Sequence, residues 1–348
     1  MQQSKNTPLY THKLKSSQLK KFMMNILVVG GAGYIGSHMV KLLSKESCKV
    51  TTLDNLSTGY RDAVKYGEFI HADLADKQQL EKIFSANQYD AVMHFASFIQ
   101  VGESVTAPSK YYENNVVNTL NLLNAMLKAD VKKFIFSSTA ATFGEPLQAT
   151  IDESHPQRPI NPYGHTKLMV EQVLKDYDVA YGLKSVSLRY FNAAGADPEG
   201  ELGERHEPET HLIPLVLQAA SGRRKSISVF GRDYDTPDGT CVRDYIHVTD
   251  LCQAHWLALR SLSSGADTQA YNLGNGAGFS VQEVIDTAKQ VTGQNISVLE
   301  GPRRAGDPAR LVADSKKIRE ALGWSPQYPS LHTIVTHAWN WERSRATP

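Results

Sequence analysis

The sequence predicts an α/β protein: a doubly wound parallel sheet with a smaller, interleaved α/β unit. Three observations carry this. Short apolar runs alternate with helical segments through the first half of the chain. The turn Gly30-Gly31-Ala32-Gly33-Tyr34-Ile35-Gly36 joins the first apolar run to the first helical segment. Ser137-Ser138-Thr139 is followed two dozen residues later by Tyr163-Gly164-His165-Thr166-Lys167. Tyr163 and Lys167 stand four residues apart and share one helix face.

Strands are predicted at 25–30, 49–53, 68–72, 90–95, 132–138 and 184–189. Ile26-Leu27-Val28-Val29 is apolar without alternation, as in a parallel strand covered on both faces. Helices are predicted at 76–86, 110–129 and 162–181, with the first running from about Ser37 to Lys45. After Asn192 glycine, proline and charge rise through 195–210 and 231–240, marking loops over a binding site. A strand near 227–230, a helix near 249–262 and a strand near 270–273 follow. Ser280 and Glu283 form a capping box for a helix to about Thr292, and a last helix covers 330–344. Tyr245–Leu259 reads as a strand and helix returning to the first domain. The expected division is a basic extension (1–24), a dinucleotide domain (25–191, with a return near 242–262) and a substrate domain (192–348).

The glycine turn has the chemistry of a diphosphate cradle. Gly30 permits the tight turn, Gly33 lets backbone approach a pyrophosphate, and Gly36 lets helix and strand pack closely. The following helix start offers unpaired N–H groups and the positive dipole end. Asp54, ending the second strand, lies where an acid takes adenosine ribose hydroxyls and repels a 2′-phosphate, so NAD is expected rather than NADP. Asp54 also reads as a plain turn residue. Asp73 follows Phe69–Ala72 and is placed to accept from the adenine amine, or to cap a helix. A lysine ammonium beside a phenol favours the phenolate, so Tyr163 is a candidate base for a sugar hydroxyl. Alone, the Tyr163 and Lys167 spacing also fits a solvated helix face.

Together the two motifs resemble the short-chain dehydrogenase/reductase superfamily in its extended form. Gly30–Gly36, His94-Phe95-Ala96, Val101-Gly102-Glu103-Ser104-Val105, Tyr111–Asn115, Phe134–Ser138, Leu188-Arg189-Tyr190-Phe191-Asn192, Val242–Val248 and Arg303–Asp307 resemble the UDP-galactose (UDP-glucose) 4-epimerase family, from about Asn25 to the end. The resemblance implies a Rossmann sheet, bound NAD, a UDP-sugar substrate and a homodimer through helices near 110–129 and 162–181. It implies inversion of the sugar C4 through a 4-keto intermediate. Tyr163 is then the base, Lys167 holds the phenolate and Thr139 donates to the developing oxyanion. The cofactor side comprises the backbones of Tyr34 and Ile35, with Asn55, Leu74, Phe95, Ala96, Asn114, Ser137 and Tyr190.

A nucleotide sugar carries a diphosphate, so its site needs cations. Arg243 and Arg304 are the candidates, because a guanidinium donates paired bonds to phosphate. Asp307 is expected near the ribose, Phe230 near the uracil, and Asn192 at a phosphate or the sugar, with Leu212 beside it. Four positions depart from the family pattern. Thr139 stands for serine, Ile99 for a lysine near the cofactor, His211 for a substrate-contacting asparagine and Leu311 for a tyrosine walling the sugar pocket. A shorter, apolar residue at 311 leaves room for an N-acetyl group, so UDP-N-acetylglucosamine and UDP-N-acetylgalactosamine are expected as further substrates. The alternatives are another NAD-dependent nucleotide-sugar enzyme, a dehydratase or reductase, and a non-catalytic dinucleotide sensor. Ala140 and Ala141 occupy the places where dehydratases carry an Asp-Glu pair, and alanine transfers no proton. Retention of Tyr163 and Lys167 speaks against a sensor.

Composition sets outer limits. The 348 residues carry a formal charge of +1, which suggests neither a nucleic-acid nor a membrane partner. Cys48, Cys241 and Cys252 imply neither a disulfide framework nor a metal site, and no metal was read elsewhere; a cytoplasmic location is expected. Residues 1–24 hold five lysines and no acid, and lack the apolar core of a signal peptide.

Overall fold

A computed structural model describes residues 23–304 and 307–346. The basic extension lies outside the described residues except for Met23 and Met24. In chain order the elements of the first half are β1 (Asn25–Val29), α1 (Tyr34–Lys45), β2 (Lys49–Asp54), β3 (Glu68–His71), α2 (Lys77–Ala86), β4 (Ala91–His94), α3 (Val101–Thr106), α4 (Pro108–Tyr112), α5 (Asn118–Lys128), β5 (Lys133–Thr139), α6 (Pro162–Tyr181) and β6 (Lys184–Tyr190). The second half adds β7 (Asn192–Ala194), α7 (Leu212–Ala220), β8 (Ile227–Phe230), β9 (Val242–Arg243), β10 (Tyr245–His247), α8 (Val248–Ser263), β11 (Gln269–Leu273) and β12 (Phe279–Ser280). It closes with α9 (Val281–Thr292), β13 (Val298–Gly301), β14 (Arg310–Leu311), α10 (Lys316–Leu322) and α11 (Leu331–Ala346).

Seven strands form one sheet in the order β11-β6-β5-β4-β1-β2-β3, every pair parallel. The doubly wound sheet is as the sequence predicts. Strand order reverses at β1, which lies between β2 and β4, and a ligand crevice is expected at the carboxyl ends there. Ile26, Leu27, Val28 and Val29 are fully buried because helices cover both faces. One face packs under Met39, Val40 and Leu43 of α1 and Leu251 and Leu259 of α8. The other packs under Leu80 and Phe84 of α2, Leu122 and Met126 of α5, and Val170 and Leu174 of α6. A third core gathers Ile213 and Leu217 of α7, Val284 of α9, and Ile334 and Trp339 of α11.

Three differences from the sequence reading have local causes. The helix expected at 110–129 is interrupted: α4 passes through a π-turn at Glu113–Val117 before α5. An extra residue per turn is frequent where a helix borders a site. Strand β10 pairs with β7 outside the main sheet, while α8 packs on α1 and β11 supplies the seventh strand beside β6. Elements of two or three residues, such as β9, β12 and β14, are too short to show periodicity and exist only through their partners. The Ser280 and Glu283 capping box is present in both directions, at 3.0 and 2.6 Å.

One buried ion pair fastens α6 to the sheet. Glu171 accepts from Arg189 of β6 at 2.9 and 2.6 Å and from Ser138 of β5 at 2.6 Å. Both charged side chains are almost wholly buried. Removing one partner strands the other charge, which costs roughly 3–5 kcal/mol. Arg189→Met is expected to lower the unfolding free energy by about that amount in urea denaturation, and Glu171→Leu combined with it to recover part of the loss. A single-variant loss below about 1 kcal/mol contradicts this role for the pair.

Candidate active site

The carboxyl ends of β1 and β4 meet at the glycine turn. Gly30 has φ +81°, and a Cβ there would lie 2.4 Å from the Ala96 nitrogen at the end of β4. A Cβ on Gly36 would lie 2.1 Å from the Gly30 carbonyl, so helix and turn close only over glycine. Gly33 meets nothing nearer than 3.4 Å, so its surface stays open toward the cleft. Ser37 makes the first intrahelical bond of α1, to Gly33 O at 3.0 Å. The N–H groups of Tyr34, Ile35 and Gly36 therefore stand without an acceptor in the helix. The Tyr34 side chain turns away, donating to Gly195 O at 2.7 Å.

A cleft of about 560 Å³ runs from this turn past Leu53, Asp54 and Asn55 to Asp73 and Leu74, and past Phe95 and Ala96 to Asn114. Asp54 accepts from Ala32 N at 2.9 Å and Leu56 N at 2.8 Å, and burial raises its carboxyl against these bonds. Each carboxylate oxygen retains a lone pair for ribose hydroxyls. Asp73 takes Asn55 Nδ2 at 2.7 Å and Ala75 N at 2.8 Å, while Asp76 caps α2. Asn114, at the π-turn, donates to Asn115 Oδ1 at 2.9 Å. Open glycine backbone, free helix N–H groups, a buried acid at the second strand and a long cleft together fit a dinucleotide.

The reacting groups adjoin the cleft through Ser97, which lines it and accepts from Lys167. Asn161 caps α6 by accepting from Gly164 N at 2.9 Å, and Pro162 opens the helix. Tyr163 and Lys167 are both buried on its inner face. Thr139 lies near the Tyr163 phenol and favours its ionised form. Lys167 Nζ donates to Ser97 Oγ at 2.7 Å and Ser137 O at 2.8 Å, and lies 5.9 Å from the Tyr163 ring centre. Ser137 Oγ meets Tyr190 OH at 2.8 Å. The expected lowering of the phenol by the lysine is corrected here. Burial pushes Tyr163 up to about 12, opposed by the nearby Thr139. Burial brings Lys167 down to about 7, opposed by Glu171. Desolvation disfavours both charged forms, and it outweighs an attraction exerted across that separation. Ala140 and Ala141 follow Thr139 in a single turn and bring no titratable group.

On the other wall β9 pairs with β14, which puts Leu311 beside Arg243 in the ladder. Arg243 donates to Asp307 Oδ1 at 2.6 Å and to Val242 O and Pro308 O, so Asp307 first of all orients this arginine. Arg304 lies 3.9 Å over the Phe230 ring, covering one of its faces. Asn192 Nδ2 donates to Asp244 O at 2.9 Å, and Leu212 opens α7. Ile99 is partly exposed. His211 was expected at the substrate, but its Nδ1 lies 2.9 Å from Glu204 and 3.1 Å from Glu209.

Sequence reading missed three supports. Ser97 receives Lys167. Asn115 binds Phe98 N and O at 2.9 and 3.0 Å and Thr166 Oγ1 at 3.2 Å, tying the 97–100 segment to α6. Glu171 repeats the four-residue spacing of Tyr163 and Lys167, a signal present in the sequence.

Comparison with known proteins agrees with this geometry. Residues 26–274 match the NAD dependent epimerase/dehydratase family. A UDP-glucose 4-epimerase of Halalkalibacterium halodurans is 55% identical over 320 residues, covering 92% of this chain and 96% of that protein. The crystal structure of UDP-glucose 4-epimerase from Brucella ovis in complex with NAD has a TM-score of 0.90 at 49% identity, covering 92% and 98%. The UDP-Glc/GlcNAc 4-epimerase of Campylobacter jejuni has a TM-score of 0.82 at 45% identity, covering 92% and 99%. A glycine cradle, a buried Tyr163 and Lys167 pair and full-length similarity converge on one conclusion: the chain belongs to the NAD dependent epimerase/dehydratase family.

Proposed function

We propose that the chain is a UDP-galactose/UDP-glucose 4-epimerase, an isomerase using NAD. The observation that carries it is the buried group of Tyr163, Lys167 and Thr139, joined to a dinucleotide cleft through Ser97, with no proton-transferring side chain at 140 or 141. Gly30, Gly33, Asp54, Asp73 and Asn114 would hold NAD, which would supply hydride-accepting and hydride-returning chemistry at sugar C4. Residues 25–191, with the return near 242–262, are read as the cofactor half, and 192–348 as the sugar half.

Tyr163 Oη takes the proton of the sugar 4-hydroxyl as that carbon is oxidised, and gives it back on reduction. Thr139 donates to the developing oxyanion. Lys167, held by Ser97 and Ser137 O, keeps its ammonium at the inner side of the phenol ring. Arg243 and Arg304 grip the diphosphate, and Asp307 orients Arg243. The 4-keto sugar then turns about the fixed diphosphate and presents its other face. A reductase would release product after one transfer; here one site serves both directions. Buried acid–base groups contribute about 10²–10⁴-fold in rate. Tyr163→Phe is expected to lose that factor in kcat for UDP-galactose while NAD remains bound. Turnover within about threefold of wild type sinks the assignment of the base.

UDP-N-acetylglucosamine and UDP-N-acetylgalactosamine are read as further substrates. Leu311 sits next to Arg243 in the ladder, and a leucine there leaves space and an apolar surface for an acetyl methyl. The Campylobacter jejuni protein, named a UDP-Glc/GlcNAc 4-epimerase, is similar over almost its whole length. Leu311→Tyr is expected to depress turnover of UDP-N-acetylgalactosamine at least about tenfold and to spare UDP-galactose, a loss of one pocket contact's worth. No wild-type turnover of the N-acetylated sugar, or equal loss of both, contradicts this.

The chain is also read as a homodimer through α5 with the turn before it and α6, where Val117 and Met169 are exposed. Sedimentation of the NAD-loaded protein is expected to give twice the chain mass; a monomer at micromolar concentration rejects it. No helix among the described residues is long and apolar enough to cross a membrane. Buried thiols at Cys241 and Cys252, with no disulfide among the described residues, favour the cytoplasm.

A further inference from the structure

Between β7 and α7 the loop Gly203-Glu204-Arg205-His206-Glu207-Pro208-Glu209-Thr210-His211 brings two carboxylates and two imidazoles to one point. One ligand-type atom from each of Glu204, His206, Glu209 and His211 lies within 4.8 Å of the others. Four nitrogen to oxygen distances define the cluster. His206 Nδ1 lies 3.2 Å from Glu204 Oε1 and 3.5 Å from Glu209 Oε2. His211 Nδ1 lies 2.9 Å from Glu204 Oε1 and 3.1 Å from Glu209 Oε1.

Three of these distances, those that meet at Glu204 Oε1 and Glu209 Oε2, lie near the edge length of a metal tetrahedron. Zinc bonds nitrogen and carboxylate oxygen at about 2.0–2.2 Å, which sets tetrahedral edges near ~3.3 Å. Only the His211 contact with Glu209 is aligned as a hydrogen bond. His206 Nδ1 is buried and has no hydrogen-bond partner among the described residues. His206 Nδ1, Glu204 Oε1 and Glu209 Oε2 lie close enough together to bind one ion. Both glutamate side chains are buried, so their two charges need opposite charge in place, either protons on the two imidazoles or a bound cation. Arg205 does not supply it: its guanidinium turns out to Asp62 at 2.6 and 2.9 Å. Two carboxylates with two neutral imidazoles carry the charge that a divalent cation cancels.

The surroundings are built to hold the ligands. Glu209 Oε1 also accepts from Thr210 N at 2.8 Å and His211 N at 2.9 Å, which fixes that carboxylate. The Glu204 carbonyl accepts from Trp341 Nε1 at 3.1 Å, anchoring the loop to α11. The Tyr34 ring meets His206 edge-on at 6.3 Å, so the cluster lies behind the first residue of α1. The proposed reaction assigns no step to these four residues.

We propose that Glu204, His206, Glu209 and His211 form a closed, four-ligand structural site for zinc, bracing the start of α7 against the phosphate-binding turn. Four protein ligands leave no position for water or substrate, which distinguishes a structural site from a catalytic one. Imidazole and carboxylate ligands suit zinc and disfavour the softer, thiolate-seeking ions. The spacing E-x-H-x-x-E-x-H was present in the sequence, but reading focused on cysteine passed over it.

The test uses the full chain and does not depend on turnover, so its failure leaves the epimerase reading untouched. The protein is incubated with zinc chloride, passed through gel filtration and its metal measured by mass spectrometry. About one zinc per chain is expected, and the His206→Ala/Glu209→Gln variant is expected to retain less than about a tenth of that. Chelator should lower the Tm of the wild type, zinc chloride should restore it, and neither should move the variant. Should the variant not fold, the wild type loaded with cobalt(II) decides: a tetrahedral visible spectrum that bleaches on adding zinc supports the site, and its absence overturns it. A wild type that retains no zinc, or a folded variant that retains as much, also overturns it. In that case two protons on the imidazoles balance the carboxylates.

Discussion

The site depends on one interaction outside it, the buried pairing of Glu171 with Arg189 and Ser138. These residues come from α6, β6 and β5, and their contact sets the height and rotation of α6 against the sheet. Tyr163, Lys167 and Glu171 follow at four-residue steps, so fixing Glu171 turns the other two toward the end of β5. Thr139 and Ser137 wait there, on the same strand as Ser138. A pair of charges this deep contributes little net stability over an apolar contact. What it supplies is geometry, since a carboxylate with bidentate and hydroxyl donors has one satisfactory arrangement.

The same burial shapes the electrostatics. It raises the Tyr163 phenol to about 12 and lowers the Lys167 ammonium to about 7. In the protein alone, both groups lean toward their neutral forms. Glu171 is the one charged group that supports the Lys167 cation in this pocket, so the structural pair also serves the chemistry. The site is therefore poised to respond to added positive charge near Tyr163, which favours the phenolate when the cleft is filled.

Much of this was legible in the sequence, for physical reasons that differ by residue. Gly30 and Gly36 declare themselves because a Cβ at either would strike backbone. The β1 and β5 strands are legible because both faces are buried and the run is uninterrupted. The Ser280 and Glu283 box is local and needs no tertiary knowledge. The π-turn before α5 was not legible, because it answers to Asn115 meeting Phe98 and Thr166 from elsewhere in the chain. Strands β9 and β14 were hidden for the same reason. His211 was assigned by position, yet its partners, Glu204 and Glu209, are near neighbours whose loop geometry alone brings them together.

The central claim is that C4 is inverted by a hydride that leaves and returns, not by removal of a carbon-bound proton. Conversion of UDP-galactose in deuterium oxide tests it most directly, with the UDP-glucose product read by NMR and mass spectrometry. The account predicts UDP-glucose that carries no deuterium at C4, because the carbon-bound hydrogen stays within the site. Deuterium at that carbon, or no UDP-glucose at all, would contradict it.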